Sequence, residues 1–175
     1  MKKFVTELEK DVDRLKELSN DTKNDLEEFK YEYEKIDCAE TYVKILKLYN
    51  KKFDMYVDIF TRFIDEMLEF TGTYKNEMKK LLEVKNSAYV LNQLNICDKS
   101  EDLLKSYRKQ FLIYKDLISS YMKVFEFSSD DATLIRRCEE FVKNDFIETL
   151  EDFVEDARNF DEDQYSIAKN LDWTE

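Results

Sequence analysis

The sequence predicts an all-α protein, an elongated antiparallel helical bundle, coiled-coil-like, of four to six helices. Three observations carry this. The 175 residues include no proline and a single glycine, Gly72, whereas sheet-containing folds need tight turns built from those residues. Apolar residues recur at alternating three- and four-residue spacings along most of the chain, the mark of helices with one buried face. Apolar residues form 43% and charged residues 39% of the total, which is enough core for a folded domain rather than a disordered polyelectrolyte. A chain of this length suits one helical domain over 1–175, with 161–175 its weaker end.

In the first element Val5, Leu8, Val12, Leu15, Ser19, Thr22, Leu26, Phe29, Tyr33 and Ile36 form one stripe. Its polar patch at Ser19 and Thr22 leaves room for a bend near "LSND". Asp37 and Glu40 in "DCAE" have the spacing of a capping box, so a second helix starts there. That helix is the most apolar. Val43, Leu46, Phe53, Val57, Phe60, Ile64 and Met67 hold one stripe, and Tyr42, Tyr49, Tyr56, Phe63 and Phe70 run alongside. Little of its circumference stays polar, so it is expected to touch several neighbours.

Gly72 reads in two ways. It can end a helix, with Thr73 capping the next. It can also sit inside one, at a cost of about 1 kcal/mol relative to alanine. Leu46, Phe53, Phe60, Met67, Tyr74, Leu81 and Ala88 stay seven apart through it, which narrowly favours one long helix over about 38–95. "NICDKSED" is then the expected break, with Asp98 or Ser100 as the cap. The next stripe is Leu104, Tyr107, Phe111, Tyr114, Ile118, Tyr121 and Phe125. "FSSDDAT" ends it, and Ser128 or Ser129 opens a helix over about 130–158. "NFDEDQ" closes that helix, leaving a short helix or extended tail. The short connections imply antiparallel neighbours.

Charge is distributed unevenly. The chain carries a net −12, yet residues 138–175 hold 13 acids against Lys143, Arg158 and Lys169. On a wheel at ~100° per residue, Phe146, Leu150, Phe153, Val154, Ala157 and Phe160 gather on one side, with Val142 at its edge. Glu140, Glu148, Glu151, Asp152 and Glu155 gather on the other. Basic partners at i,i+4 are missing from that face, and like charges at this spacing destabilise a helix by a few tenths of a kcal/mol per pair. Solubility, or neutralisation by cations elsewhere in the fold, explains such a face without any partner. Alternatively, the face docks on a basic protein surface. The eight acids from Glu139 to Asp156 lie along ~26 Å of helix. That is about one charge per 3 Å, close to the ~3.4 Å of one DNA strand. The pattern therefore fits an inhibitor that imitates nucleic acid, of a phage or mobile-element type, and occupies the groove of a nucleic-acid-binding protein such as a defence nuclease. Glu140, Glu148, Glu151, Asp152 and Glu155 are the expected partner-binding residues.

Other classes are disfavoured. The chain has no histidine, which removes Ser–His–Asp and Cys–His catalysis and His-ligated zinc. One glycine rules out a P-loop or dinucleotide fingerprint. No enzyme activity, catalytic residue, cofactor or metal is expected. Asp161, Asp163 and Asp172 fall at calcium-loop positions one, three and twelve, but Tyr165 and Ser166 occupy positions that need a ligand and a glycine. Direct nucleic-acid binding and membrane-surface binding both conflict with a pI near 4.7. Cys38, Cys97 and Cys138 form neither a disulfide framework nor a zinc pattern. With no apolar leader and no membrane-spanning run, a cytoplasmic protein is expected. Trp173 is expected to tuck back on the bundle. Two alternatives remain. One is a coiled-coil structural or self-assembling protein, in which the heptads matter and the acids only solubilise. The other is a helical adaptor or chaperone with a Tyr- and Phe-rich groove.

Overall fold

The computed structural model describes residues 2–36, 38–85, 87–123, 136 and 140–170, leaving aside the side chains of residues 2–9, 39, 121, 122 and 170. Four helices account for nearly all of these: α1 (Lys2–Tyr33), α2 (Ala39–Val84), α3 (Ala88–Lys123) and α4 (Ile147–Asn170). A π-helical turn, Val142–Phe146, leads into α4. There is no strand among the described residues. At 1.5 Å per residue, α2 alone is about 69 Å long.

The seams between helices give the topology. Asp65 and Asp58 on α2 pair with Arg108 and Lys115 on α3, so the higher number on one helix meets the lower on the other. Lys52 pairs with Asp25 across α1 and α2, and Lys30 with Glu151 across α1 and α4. Tyr107 and Tyr114 on α3 reach Asp163 and Asp156 on α4. Neighbours are therefore antiparallel all the way round.

Aromatic rings fill the interior. Phe53 and Phe60 of α2, Phe111 of α3, and Phe153 and Phe160 of α4 lie edge-to-face or tilted, with centroids 5.3–6.2 Å apart. Such pairs add to the stabilisation from burial alone. From Val12 to Tyr33 the α1 stripe lies as the spacing predicts, while the side chains of Val5 and Leu8 lie outside those described and Ile36 follows the end of the helix. Leu15, Leu26, Phe29 and Tyr33 join this core, and Ser19 and Thr22 are buried with them. The polar patch does not break α1, because the Thr22 hydroxyl donates to the Ser19 carbonyl at 2.7 Å and so needs no other partner.

Several boundaries differ from expectation. The N-cap residue of α2 is Cys38, and Asp37 lies outside the described residues. Gly72 does lie within α2, in ordinary helical backbone. However, α2 stops at Val84, well short of 95, and α3 begins at Ala88. There Ser87 Oγ accepts from the Val90 N–H at 3.4 Å as the cap of α3. The heptads had run past the core: Leu81 and Ala88 are both exposed. "NICDKSED" is no break. α3 runs through it because Val90, Gln93, Cys97, Ser100 and Leu104 are one buried stripe whose middle happens to be small or polar. Ser100 donates to the Ile96 carbonyl at 2.7 Å instead of capping, and Asp98 reaches Lys75. "NFDEDQ" is no end either. Phe160 and Gln164 are buried and Ile167 is packed, so α4 continues to Asn170 and the calcium-like spacing at Asp161 and Asp163 is helical. Val142 is fully buried rather than at the edge, at the start of the π turn. The caps expected at Ser128 and Ser129, and Trp173, lie outside the described residues.

Candidate functional site

The outer side of α4 and the segment before it hold the five acids expected to bind a partner. Phe146, Leu150, Phe153, Ala157, Phe160 and Gln164 turn the other side into the bundle. Glu140, Glu148, Glu151, Asp152 and Glu155 are accordingly all exposed. They are not equivalent. Glu151 leans toward α1, where Lys30 Nζ donates to it at 2.5 Å. Glu140 has Arg136 at 3.9 Å on its own segment. Glu148, Asp152 and Glu155 have no basic partner among the described residues. They stand four and three residues apart, in one row along the exposed ridge.

The expectation that basic partners at i,i+4 are missing from this face fails at Glu140, where Arg136 stands four residues back, and holds among the described residues for Glu148, Glu151, Asp152 and Glu155. Lys30 arrives from a helix 121 residues away, which no i,i+4 inspection of α4 reveals. An open groove of about 460 Å³ runs between α1 and α4 beside it. Lys23, Lys30 and Arg158 line it together with Glu27, Glu151 and Glu155. On this side the acids and bases are mixed.

On the opposite flank two acids are structural. Asp156 accepts from the Tyr114 hydroxyl at 2.7 Å, and Asp163 from that of Tyr107 at 2.6 Å. The α1–α2 seam repeats the arrangement. Tyr49 donates to Glu32 at 3.1 Å and Tyr56 to Asp25. In both seams the phenols are seven residues apart on one helix and the carboxylates seven apart on the other. Tyr49, Tyr56 and Tyr114 are buried and Tyr107 partly so, and each turns its hydroxyl to the seam, where a carboxylate meets it. Burial, reinforced by the carboxylate acceptor, pushes all four phenols well above their usual pKa. That matched heptad spacing was a sequence signal for two of the C-terminal acids.

Other chemistry is sparse. Burial pushes the Cys97 thiol up to about 11, which makes it a poor nucleophile. No group of three or more His, Cys, Asp or Glu among the described residues is placed to hold a metal ion. No described helix is long and apolar enough to cross a membrane. The chain matches no protein-family model, and comparisons with curated proteins and with solved structures find no match. Among the described residues the fold is that of a four-helix antiparallel bundle.

Proposed function

We propose that this protein is a non-enzymatic interaction module that docks the outer ridge of α4 on a basic protein surface. The observation that supports the reading is the row Glu148, Asp152 and Glu155. These acids are exposed and unpaired among the described residues, while Glu151, Asp156 and Asp163 of the same helix are engaged by neighbouring helices. Carboxylates held at fixed spacing on a rigid helix cost little entropy to present, which favours binding to a complementary surface. The sharpest form of the proposal is an inhibitor that fills the nucleic-acid-binding groove of its target. In that role Glu148, Asp152 and Glu155 are the contact residues and Glu140 and Glu151 stand at the rim. The unpaired row is sparser than the sequence count implied, at about one charge per 5 Å along the helix against ~3.4 Å along a DNA strand. Imitation of nucleic acid therefore draws on the paired rim acids as well.

The test is capture of partners from extract of the source cell on immobilised protein, comparing the unsubstituted chain with Glu148→Lys/Asp152→Lys/Glu155→Lys. A partner retained by the first, lost by the second and released steeply by salt is expected. Equal capture by both rules the ridge out as the docking surface.

A further inference from the structure

Among the described residues the interior consists of two separate clusters rather than one. The large aromatic core ends at Met67 on α2, Leu104 on α3 and Phe160 on α4. A smaller cluster of Tyr74, Met78, Val90 and Cys97 fills the far part of the α2–α3 hairpin, and Ile167 of α4 packs against it. The boundary between them has the same form on three helices. Thr71 lies between Met67 and Tyr74, Ser100 between Leu104 and Cys97, and Gln164 between Phe160 and Ile167. Each is buried and polar, and each stands four residues from the large cluster and three from the small one. A polar layer thus crosses the bundle where apolar residues would have joined the clusters.

The same level holds the residues of α2 that least favour a straight helix. Gly72, the only glycine, follows Thr71 directly. Nothing about packing calls for it, since a Cβ there would meet no atom within 4 Å. Thr71 and Thr73 on either side donate to the carbonyls four residues back, of Met67 and Glu69, and Ser100 does the same to Ile96. Such back-bonding bends helices, and glycine beside it is a common site of kinks. Gln164 Nε2 is buried with no hydrogen-bond partner among the described residues, a loss that an alternative packing can recover. Beyond the layer, Lys75 bridges to Asp98 and Glu101 and ties α2 to α3. Among the described residues, Ile167 is the only apolar side chain from another helix that packs on the small cluster.

We infer that the level of Thr71, Gly72, Ser100 and Gln164 is a hinge, about which the far part of the α2–α3 hairpin swings as a unit against the aromatic body. This is independent of the docking ridge, which lies on the body.

Pulsed electron-spin distance measurements on the full chain test it. Labels go at Glu83→Cys, near the hairpin tip, and Arg158→Cys, on the body. Cys38 and Cys138 are replaced by serine, and Cys97 is left in place because it is buried. A broad or two-peaked distance distribution is expected in this background. It should narrow to one peak in Gly72→Ala and in Thr71→Val/Ser100→Ala/Gln164→Leu, which joins the two clusters. A single narrow peak in the starting background, or a broad one unchanged in both variants, overturns the hinge. Gly72→Ala is expected to fold at least as well as the parent, so the result does not depend on the triple variant.

Discussion

At the scale of single residues, stability rests on a few rings and one avoidable glycine. Phe153 is fully buried and meets Phe53, Phe60, Phe111 and Tyr114. Phe153→Ala removes a partner from four rings at once, and a loss of about 3–5 kcal/mol is expected in urea denaturation. Gly72→Ala should stabilise by about 1 kcal/mol, because the helix gains a better former and the new methyl meets nothing. Calorimetry should show Tm rising by about 2–4 °C. The buried role of Phe153 was legible in the spacing of the α4 stripe. Its ring neighbours were not, because periodicity assigns a face but not what lies opposite it.

At the scale of elements, the four helices are sewn by two kinds of seam. Acid–base pairs join α2 to α3 and α1 to α4, with Lys52–Asp25 adding one between α1 and α2. Phenol–carboxylate bonds join α1 to α2 and α3 to α4. The phenols make stability depend on alkaline pH with a definite sign. Their pKa values are raised in the folded state, so folding favours the protonated form. Their contribution is complete below the unfolded value near 10 and is lost as pH rises above it. Urea midpoints should therefore fall above about pH 10. The fall should be shallower in Tyr107→Phe/Tyr114→Phe, which has two fewer buried phenols to ionise. Equal slopes in the two proteins would remove these bonds from the explanation.

At the scale of the whole molecule, a net −12 sets a background of self-repulsion. Thermal stability should rise as sodium chloride is raised from about 10 mM, where charges are felt over roughly 30 Å, to about 150 mM, where they are felt over roughly 8 Å. Most of the gain should vanish in Glu148→Gln/Asp152→Gln/Glu155→Gln, whose ridge no longer repels itself. A salt response equal to that of the parent would place the repulsion elsewhere in the molecule.

The sequence by itself determined the helical class, the stripe of each helix that faces the large core and the acidic side of the last one. These follow from composition and a 3.6-residue period, both local. It did not place the helix ends at Val84, Ala88 and Asn170. Whether Leu81 is core and Ser100 is a cap depends on where a neighbouring helix runs, and polar residues such as Ser100 and Gln164 read as breaks until another helix buries them. Tertiary structure alone decided which acids stand free. Lys30 reaches Glu151 from a distant helix, and Tyr107 and Tyr114 reach Asp163 and Asp156 across a seam. Charge counted along a chain cannot tell a carboxylate that faces solvent from one that a neighbour has already claimed.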